Sequence, residues 1–590
     1  MFERLRAAAM AAATLLLVAA CGSDKSSPPA EQGASGVAAA TAMKQPLDGV
    51  PAGTRPLPMP EPGKAYNNPQ PRDNVQDGGT LTLPIGEFGP NFNQFSIDGN
   101  SGEIGDILNW LVPHLWKFGP DGEVSPNTDY LLSAELISEN PETVRYTLNP
   151  KAKWNDGTAI DWTAFDTAWR TQRGVDKRYN PASTTAYESI ASVAKGDKDN
   201  EVIVTFAMPF YPFEWIDEVE HPKNLDPTFY KTGWIKNLHP ELLAGPFTVE
   251  SLTEETLTLK RNPSWWGDTP KLDRVVYRKM ELVASINAFQ NGEIDGTSVA
   301  IADRLKQISG MRHVQVRRGY DTRTGVYIIG RDSPLFKDEA ARKAFMLGTD
   351  RKLLADIQFQ GLDWSEASPG SAVMFTWQKG YRDNMADLHY DPDEAKRVLD
   401  AAGWVMGDDG YRHKEGQIAE FTYVDFGDDP IVVALARAEQ KMSKDIGLLM
   451  QIDVRKSSDF SATMTNRNFD VVIMAWSASD PFGYSNVCQL YCSDSESNMT
   501  GIGDKALDEE LRKPLTIANT AAAIEAANNA ERKAIHLYGM LPLFNGPRIV
   551  AVKEGLANSG PAGFTKRDPV NVGWQKRTGV SGGEPSTGAR

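Results

Sequence analysis

The sequence predicts an α/β protein of two lobes, and three observations carry this prediction. Roughly 500 residues follow position 77, about twice the size at which a single hydrophobic core stops growing. Strand-like alternation, as in 79–85, recurs between amphipathic helical segments such as 338–349. The chain is 41% hydrophobic and 24% charged, which is the composition of an ordinary globular protein.

The first 21 residues have the organisation of an export signal. Arg4 and Arg6 precede an apolar run over 7–20, which is too short to span a membrane. The run ends in LVAAC, which is similar to the bacterial lipobox. That similarity implies cleavage after residue 20 and two acyl chains at Cys21, enough for stable anchoring. The alternative is an ordinary secreted protein with an incidental cysteine.

The segments on either side of the folded body are predicted to be flexible. Residues 21–77 are rich in Ser, Pro, Ala and Gly and too poor in large hydrophobic residues to form a core. We interpret them as a tether between the lipid and the body. Residues 576–590 are a Gly/Ser/Pro-rich tail that we also expect to be flexible.

Charge and cysteine content narrow the possible partners. The formal net charge is −16, which disfavours nucleic acid because its phosphates would be repelled. Cys488 and Cys492 are the cysteines of the mature body, and their C-x3-C spacing in an oxidising compartment favours a small disulfide loop. Zinc is the alternative, but no nearby histidine completes four ligands.

The sequence lacks the motifs of common catalytic sites. It contains no H-E-x-x-H, G-x-S-x-G or Walker motif, and its seven histidines are dispersed. We therefore expect no catalytic residue, no metal and no cofactor. Binding is favoured over catalysis, and the chain is predicted not to be an enzyme.

Strands and helices alternate along the body. Alternation and short apolar runs predict strands at 79–85, 144–148, 202–206, 247–251, 256–260, 274–279, 452–454 and 471–475. A helix is predicted at 162–169 with Asp161 as its N-cap, followed by helices at 338–349 and 391–402 and a helix-rich region at 505–538. Pro392 occupies a first-turn position of its helix.

Six sequence blocks within 78–508 carry a resemblance to one family. They are KWNDGTAI at 153–160, AGPFTV to RNPSWWG at 244–267, F-x-x-GEID at 289–295, SPLF-x-D at 333–338 with Arg342 and Arg351, YDP to AG at 390–403, and IG at 446–447. Together they resemble the extracytoplasmic solute-binding proteins of peptide ABC importers, family 5. The resemblance is greatest to the actinobacterial oligopeptide-binding lipoproteins.

The resemblance implies a periplasmic-binding-protein fold of the large peptide-binding type, with mixed sheets, an extra subdomain and a hinge between two lobes. Hinge crossings are expected near 314–318 and 541–544. The predicted segments are 78–112 (first lobe), 113–222 (extra subdomain), 223–314 (first lobe), 315–543 (second lobe) and 544–575 (first lobe).

The resemblance also implies where a ligand binds. Such proteins hold an extended peptide by adding it as a strand. The family's Gly-Trp-x-x-Asp motif matches MAWSASDP at 474–481, where Trp476 is retained but Ser479 stands at the carboxylate position. Either Asp480 pairs with the ligand ammonium, or that ion pair is missing. The predicted ligand-binding residues are Phe88, Gly89, Pro90, Asn91, Ala475, Trp476, Ser477, Ser479, Asp480, Phe544 and Asn545.

The resemblance therefore predicts a lipid-anchored receptor on the outer face of the cell membrane. We expect it to capture oligopeptides, to deliver them to an ABC transporter permease and to be a monomer. Three alternatives remain open. The same fold could act as a scaffold or regulator of envelope assembly, or bind another solute such as a glycoside or a metal chelate. A secreted hydrolase is the alternative from another class.

Overall fold

The computed structural model describes residues 67–428, 430–478 and 480–576. The predicted signal peptide, Cys21, most of the tether, Ser479 and most of the tail lie outside the described residues. Within the described ranges no helix is long and apolar enough to cross a membrane.

The described residues contain 23 strands and 12 α-helices. The strands are β1 Thr80–Ile85, β2 Trp116–Phe118, β3 Val124–Pro126, β4 Leu131–Glu139, β5 Glu142–Leu148, β6 Ile190–Lys195, β7 Glu201–Phe206, β8 Phe247–Leu252, β9 Thr256–Arg261, β10 Arg274–Lys279, β11 Gly296–Ser298, β12 Val314–Tyr320, β13 Arg323–Ile329, β14 Val405–Met406, β15 Arg412–Lys414, β16 Gln417–Ile418, β17 Glu420–Phe426, β18 Leu449–Arg455, β19 Val471–Ser477, β20 Met540–Phe544, β21 Pro547–Lys553, β22 Leu556–Ala557 and β23 Gly573–Trp574. The helices are α1 Gly102–Leu108, α2 Trp162–Gln172, α3 Leu282–Gln290, α4 Ala302–Gln307, α5 Glu339–Gly348, α6 Arg351–Gln358, α7 Pro392–Ala401, α8 Pro430–Asp445, α9 Phe460–Thr465, α10 Val487–Tyr491, α11 Lys505–Arg512 and α12 Thr520–Ile535.

The helix starts predicted from the sequence are confirmed, because capping is a local property of the chain. The Asp161 side chain accepts a hydrogen bond from the backbone N–H of Thr163 at the start of α2. Asp338 and Asp391 cap α5 and α7 in the same way. A short polar side chain at this position satisfies a donor that the helix itself leaves unpaired.

The larger sheets follow the predicted mixture of parallel and antiparallel pairing. A four-stranded sheet has the order β1-β10-β9-β8, with β1 parallel to β10, and a three-stranded sheet has the order β11-β21-β12. Strands β4-β5-β7-β6 form a separate antiparallel sheet from residues 131–206. The five-stranded sheet β18-β17-β19-β13-β20 forms the centre of the second lobe.

The chain passes between the two lobes at two neighbouring points. It leaves the β11-β21-β12 sheet after Tyr320 and enters the five-stranded sheet at Arg323. It returns after Phe544 and rejoins the first sheet at Pro547. The first change of sheet therefore comes a few residues after the expected 314–318, which lies inside β12. The domain boundaries themselves stay predictions.

Candidate functional site

A cavity of about 540 Å³ lies between the lobes, within the range of roughly 300–1,000 Å³ that is usual for ligand sites. Segments that are distant in sequence form its wall. They include 100–109, 214–218, 321–323, 372–375, 474–478 with Asp480, 486–490 and 558–567. The lobes also contact each other directly, through the ion pair of Arg512 with Glu188 at 3.0 Å and the hydrogen bond from Ser497 Oγ to Ala182 O at 2.6 Å.

The C-terminal half of β19 presents a strand edge to this cavity. β19 pairs with β13 along its whole length, but it pairs with β17 only at Val471 and Val472. Ala478 N–H donates to Thr322 O at 2.8 Å. Because backbone direction alternates along a strand, the N–H and C=O groups of Ala475 and Ser477 point to the opposite edge, beyond the end of β17. Both residues are exposed and line the cavity.

Trp476 lies on the wall of the same cavity. Its indole Nε1 is buried and has no hydrogen-bond partner among the described residues. A buried donor without an acceptor is rare in folded proteins and costs free energy. Trp476 is therefore a candidate hydrogen-bond donor to a ligand acceptor.

A group of charged side chains surrounds Asp217 on the cavity wall. Lys566 Nζ donates to Asp217 Oδ2 at 3.1 Å, and His114 Nδ1 lies 3.0 Å from the same oxygen. The backbone N–H of Trp116 donates to Oδ1 at 2.8 Å. Burial alone would raise the pKa of Asp217, but Lys566 and His114 outweigh it and lower that pKa.

This charged group contains the best-placed metal-ligating atoms of the cavity. The ligand atoms of His114, Asp217 and Glu218 lie within 4.8 Å of one another. However, the Lys566 ammonium already contacts Asp217, so a cation there would meet a fixed positive charge. Cys488 and Cys492 come close to Asp494, but their sulfurs form a disulfide and cannot act as thiolate ligands.

Asp480 lies at the end of the 474–480 segment and lines the cavity. Its carboxylate accepts a hydrogen bond from Phe482 N–H at 2.7 Å. Burial raises its pKa, and Lys566 partly offsets that effect. Asp480 therefore acts as a turn-stabilising residue whose carboxylate is also close to the charged group around Asp217.

The remaining predicted site residues lie away from the cavity wall. Phe88, Gly89, Pro90 and Asn91 form a loop of the first lobe, and buried Asn91 donates to Lys231 O at 3.0 Å. Phe544 packs on Phe359 with ring centroids 5.3 Å apart.

Asn545 connects the two crossings between the lobes. Its Nδ2 donates to Arg323 O at 3.2 Å and to Thr324 Oγ1 at 2.9 Å. A direct ligand contact by Asn545, Phe544 or the 88–91 loop stays a prediction.

Sequence reasoning missed several charged residues of the cavity. Arg548 lies three residues after Asn545, while Glu214 and Asp217 come from an acid-rich stretch of the extra subdomain and Lys566 from near the C-terminus. The sequence shows the acid-rich stretch, but no pattern in the neighbouring residues indicates that these side chains face the second lobe.

The fold and the cavity between the lobes define a two-lobe solute-binding protein. A family model for bacterial extracellular solute-binding proteins, family 5, matches residues 128–498. The chain belongs to this family, as the sequence blocks predicted, and its members bind solutes outside the cytoplasm rather than catalyse reactions. The prediction that the chain is not an enzyme is thereby confirmed.

Individual relatives agree with this assignment. The chain is 32% identical over 519 residues to the oligopeptide-binding protein OppA of Mycobacterium tuberculosis, covering 86% of this chain and 87% of the relative. Its fold is similar to that of the oligopeptide-binding protein AppA of Bacillus subtilis, solved with a nonapeptide. That match has a TM-score of 0.75 and 18% identity and covers 85% and 100% of the two chains. A periplasmic EDTA-binding protein, EppA, also matches with a TM-score of 0.75 and 23% identity, covering 85% and 98%.

Proposed function

We propose that this protein captures oligopeptides in the cavity between its lobes and delivers them to the permease of an ABC importer. The observation that carries the proposal is the edge of β19 at Ala475 and Ser477, which adjoins the cavity. An extended peptide can add to such an edge through its backbone, which gives affinity that tolerates many side chains. The names of the relatives, which are oligopeptide-binding proteins, support the same class of ligand.

Thermal unfolding with a random peptide pool tests the proposal on the purified chain. A peptide at 100 times its dissociation constant stabilises the folded state by about 2.7 kcal/mol, so a pool that contains ligands should raise the melting temperature. An absence of any shift across pools of two to ten residues would contradict peptide capture. Peptides that disappear with time would instead indicate a hydrolase.

An Ala475→Pro variant tests the strand-edge contact itself. Proline removes the N–H that faces the cavity but not one that pairs with β13, and prolines are tolerated at such edge positions. We expect peptide affinity to fall about tenfold, equal to roughly one hydrogen bond, with little change in the melting temperature of the free protein. Ala475→Ser keeps the N–H and is the matched control. Equal peptide affinity in both variants would contradict the edge contact.

We further propose that the mature chain is anchored by lipid at Cys21 and works at the outer face of the cell membrane. The basis is the lipobox-like LVAAC sequence and the stable anchoring that two acyl chains give. Mass spectrometry of the membrane-extracted protein should find a diacylated Cys21 at the N-terminus. A Cys21→Ser variant should leave the membrane fraction, and deletion of the gene should abolish uptake of the peptides that the protein binds.

A further inference from the structure

The charged residues of the cavity wall form two separate groups. The acidic group contains Glu214, Asp217, Glu218 and Asp480 around Lys566 and His114. The basic group contains Arg323, Arg548 and Arg567 with the carboxylates of Asp106 and Asp321. The strongest electrostatic partners of Arg548 belong to the second group, and those of Lys566 belong to the first. The cavity therefore has an acidic end and a basic end.

Arg567 of the basic end donates to Ser559 Oγ, whereas the side chains of Arg323 and Arg548 have no hydrogen-bond or ion-pair partner among the described residues. Arg323 is exposed, but Arg548 is half-buried. It is the second residue of β21, directly after the return crossing, and pairs with Gly319 of β12. Its guanidinium lines the cavity and makes no hydrogen bond or ion pair with any residue that the structure describes. Arg317, on the neighbouring strand, differs from Arg548 in this respect. Its guanidinium donates to Gln315 and to the backbone carbonyls of Leu556 and Ser559.

The environment of Arg548 favours an anion that the chain does not supply. Burial lowers the pKa of its guanidinium, and the nearby Asp321 offsets this effect only in part. A buried charge is costly unless it is paired. A guanidinium presents parallel N–H donors whose spacing matches the two oxygens of a carboxylate.

The acidic end, in contrast, already holds one fixed cation, the Lys566 ammonium. Asp217 is paired with Lys566 and His114. Glu218 accepts from Gln94, and Asp480 accepts from Phe482 N–H. Burial raises the pKa of Glu214. Asp217 thus has a cation from the chain itself, whereas the Arg548 guanidinium has no anion among the described residues in direct contact.

We infer that Arg548 is a specificity-determining residue that binds a carboxylate of the ligand. The inference rests on the proposed capture of peptides. The carboxylate can be the C-terminus of a peptide or an Asp or Glu side chain, since both offer the same two oxygens.

A random heptapeptide pool made without Asp or Glu and synthesised in four forms tests this inference. The forms have free termini, an acetylated N-terminus, an amidated C-terminus, or an amidated C-terminus with one glutamate in every member. Affinity is measured by thermal-shift titration of wild type, Arg548→Gln and Arg331→Gln. Arg331 is exposed and lies outside the cavity wall, so its variant controls for the loss of one positive charge.

We expect C-terminal amidation to weaken binding to wild type at least tenfold, and N-acetylation to weaken binding to wild type and to Arg548→Gln by equal factors. Arg548→Gln should bind the free-termini pool as weakly as wild type binds the amidated pool, whereas Arg331→Gln should match wild type. If the glutamate-containing amide pool recovers affinity for wild type but not for Arg548→Gln, the side chain is the source of the carboxylate.

Three results would overturn the inference. The first is equal binding of the free, the amidated and the glutamate-containing amidated pools to wild type, and the second is undiminished binding of the free pool to Arg548→Gln. The third is a lower melting temperature of ligand-free Arg548→Gln than of wild type, because it would show that the guanidinium has a structural partner. If no pool binds wild type, peptide capture itself fails, and this outcome is distinct from a loss confined to the Arg548 variant.

Discussion

Glu439 is a carboxyl in the core of the second lobe. It lies on α8, and Thr349 Oγ1 and Ser443 Oγ donate to its Oε1 at 3.3 and 3.2 Å. Burial raises its pKa to about 8. Because an unfolded glutamate titrates near pH 4.3, folding at neutral pH keeps a proton on this side chain.

We expect Glu439→Gln to make stability less dependent on pH. With a raised folded-state pKa, the contribution of Glu439 to stability is fully present below about pH 4.3 and is lost as pH rises through about 8. Between these values it falls by up to about 1.4 kcal/mol per pH unit. Glutamine accepts the same two hydrogen bonds but does not ionise. Urea unfolding at pH 5, 6, 7 and 8 should show that the free energy of unfolding falls less steeply with pH in the variant than in wild type.

Glu509→Gln, at an exposed position of α11, is the control and should follow wild type. If the free energy of unfolding fell equally steeply with pH in all three proteins, the raised pKa of Glu439 would be contradicted.

Single residues of the site were predictable from sequence only where a motif marked them. Trp476 stands in a recognisable segment, and it lies on the cavity wall. Arg548 could not be predicted, because an arginine with partners and one without look the same in a sequence. Other segments of the chain supply hydrogen-bond acceptors to Arg317, namely the backbone carbonyls of Leu556 and Ser559. The described residues supply none to the Arg548 guanidinium.

Helices were predicted more completely than sheets, because their boundaries depend on neighbouring residues. Asp161 and Asp338 identified the starts of α2 and α5 before any tertiary contact was known. The edge of β19 depends instead on where β17 ends, about 50 residues earlier in the chain. No local pattern contains that information.

The two caps should differ in their contribution to stability. Asp161 accepts only from the backbone and hydroxyl of Thr163, whereas Asp338 also accepts from Trp404 Nε1 at 3.0 Å and Lys414 Nζ at 2.8 Å. We expect Asp161→Ala to cost about 1 kcal/mol and Asp338→Ala about 2–3 kcal/mol, since tertiary hydrogen bonds are lost with the cap. Chemical unfolding measures both, and the Asn variants, which retain the cap, serve as controls. Equal losses for the two alanine variants would show that the contacts with Trp404 and Lys414 contribute nothing.

At the scale of the whole molecule, the lobes are joined covalently at two crossings and touch elsewhere through hydrogen bonds and ion pairs. Ser461 Oγ donates to Glu87 Oε1 at 2.6 Å, and Ser457 Oγ donates to Glu281 Oε2 at 2.7 Å. Both serines belong to the second lobe and both acceptors to the first. Hydrogen bonds of this kind exist only while the lobes are closed, so they favour the closed arrangement over an open one.

Removal of both serines should therefore weaken ligand binding without any change in the cavity wall at Ala475, Ser477 or Arg548. A hydrogen bond to a charged group contributes about 1.5–3 kcal/mol, and a smaller closed population lowers the apparent affinity in proportion. We expect Ser457→Ala combined with Ser461→Ala to lower peptide affinity at least tenfold and to enlarge the radius of gyration of the free protein in small-angle X-ray scattering. Ser309→Ala, at an exposed position of the first lobe, is the control. If the double variant kept wild-type affinity and radius, these contacts would not govern closure. The hinge, or other contacts between the lobes such as that of Arg512 with Glu188, would then set the resting arrangement.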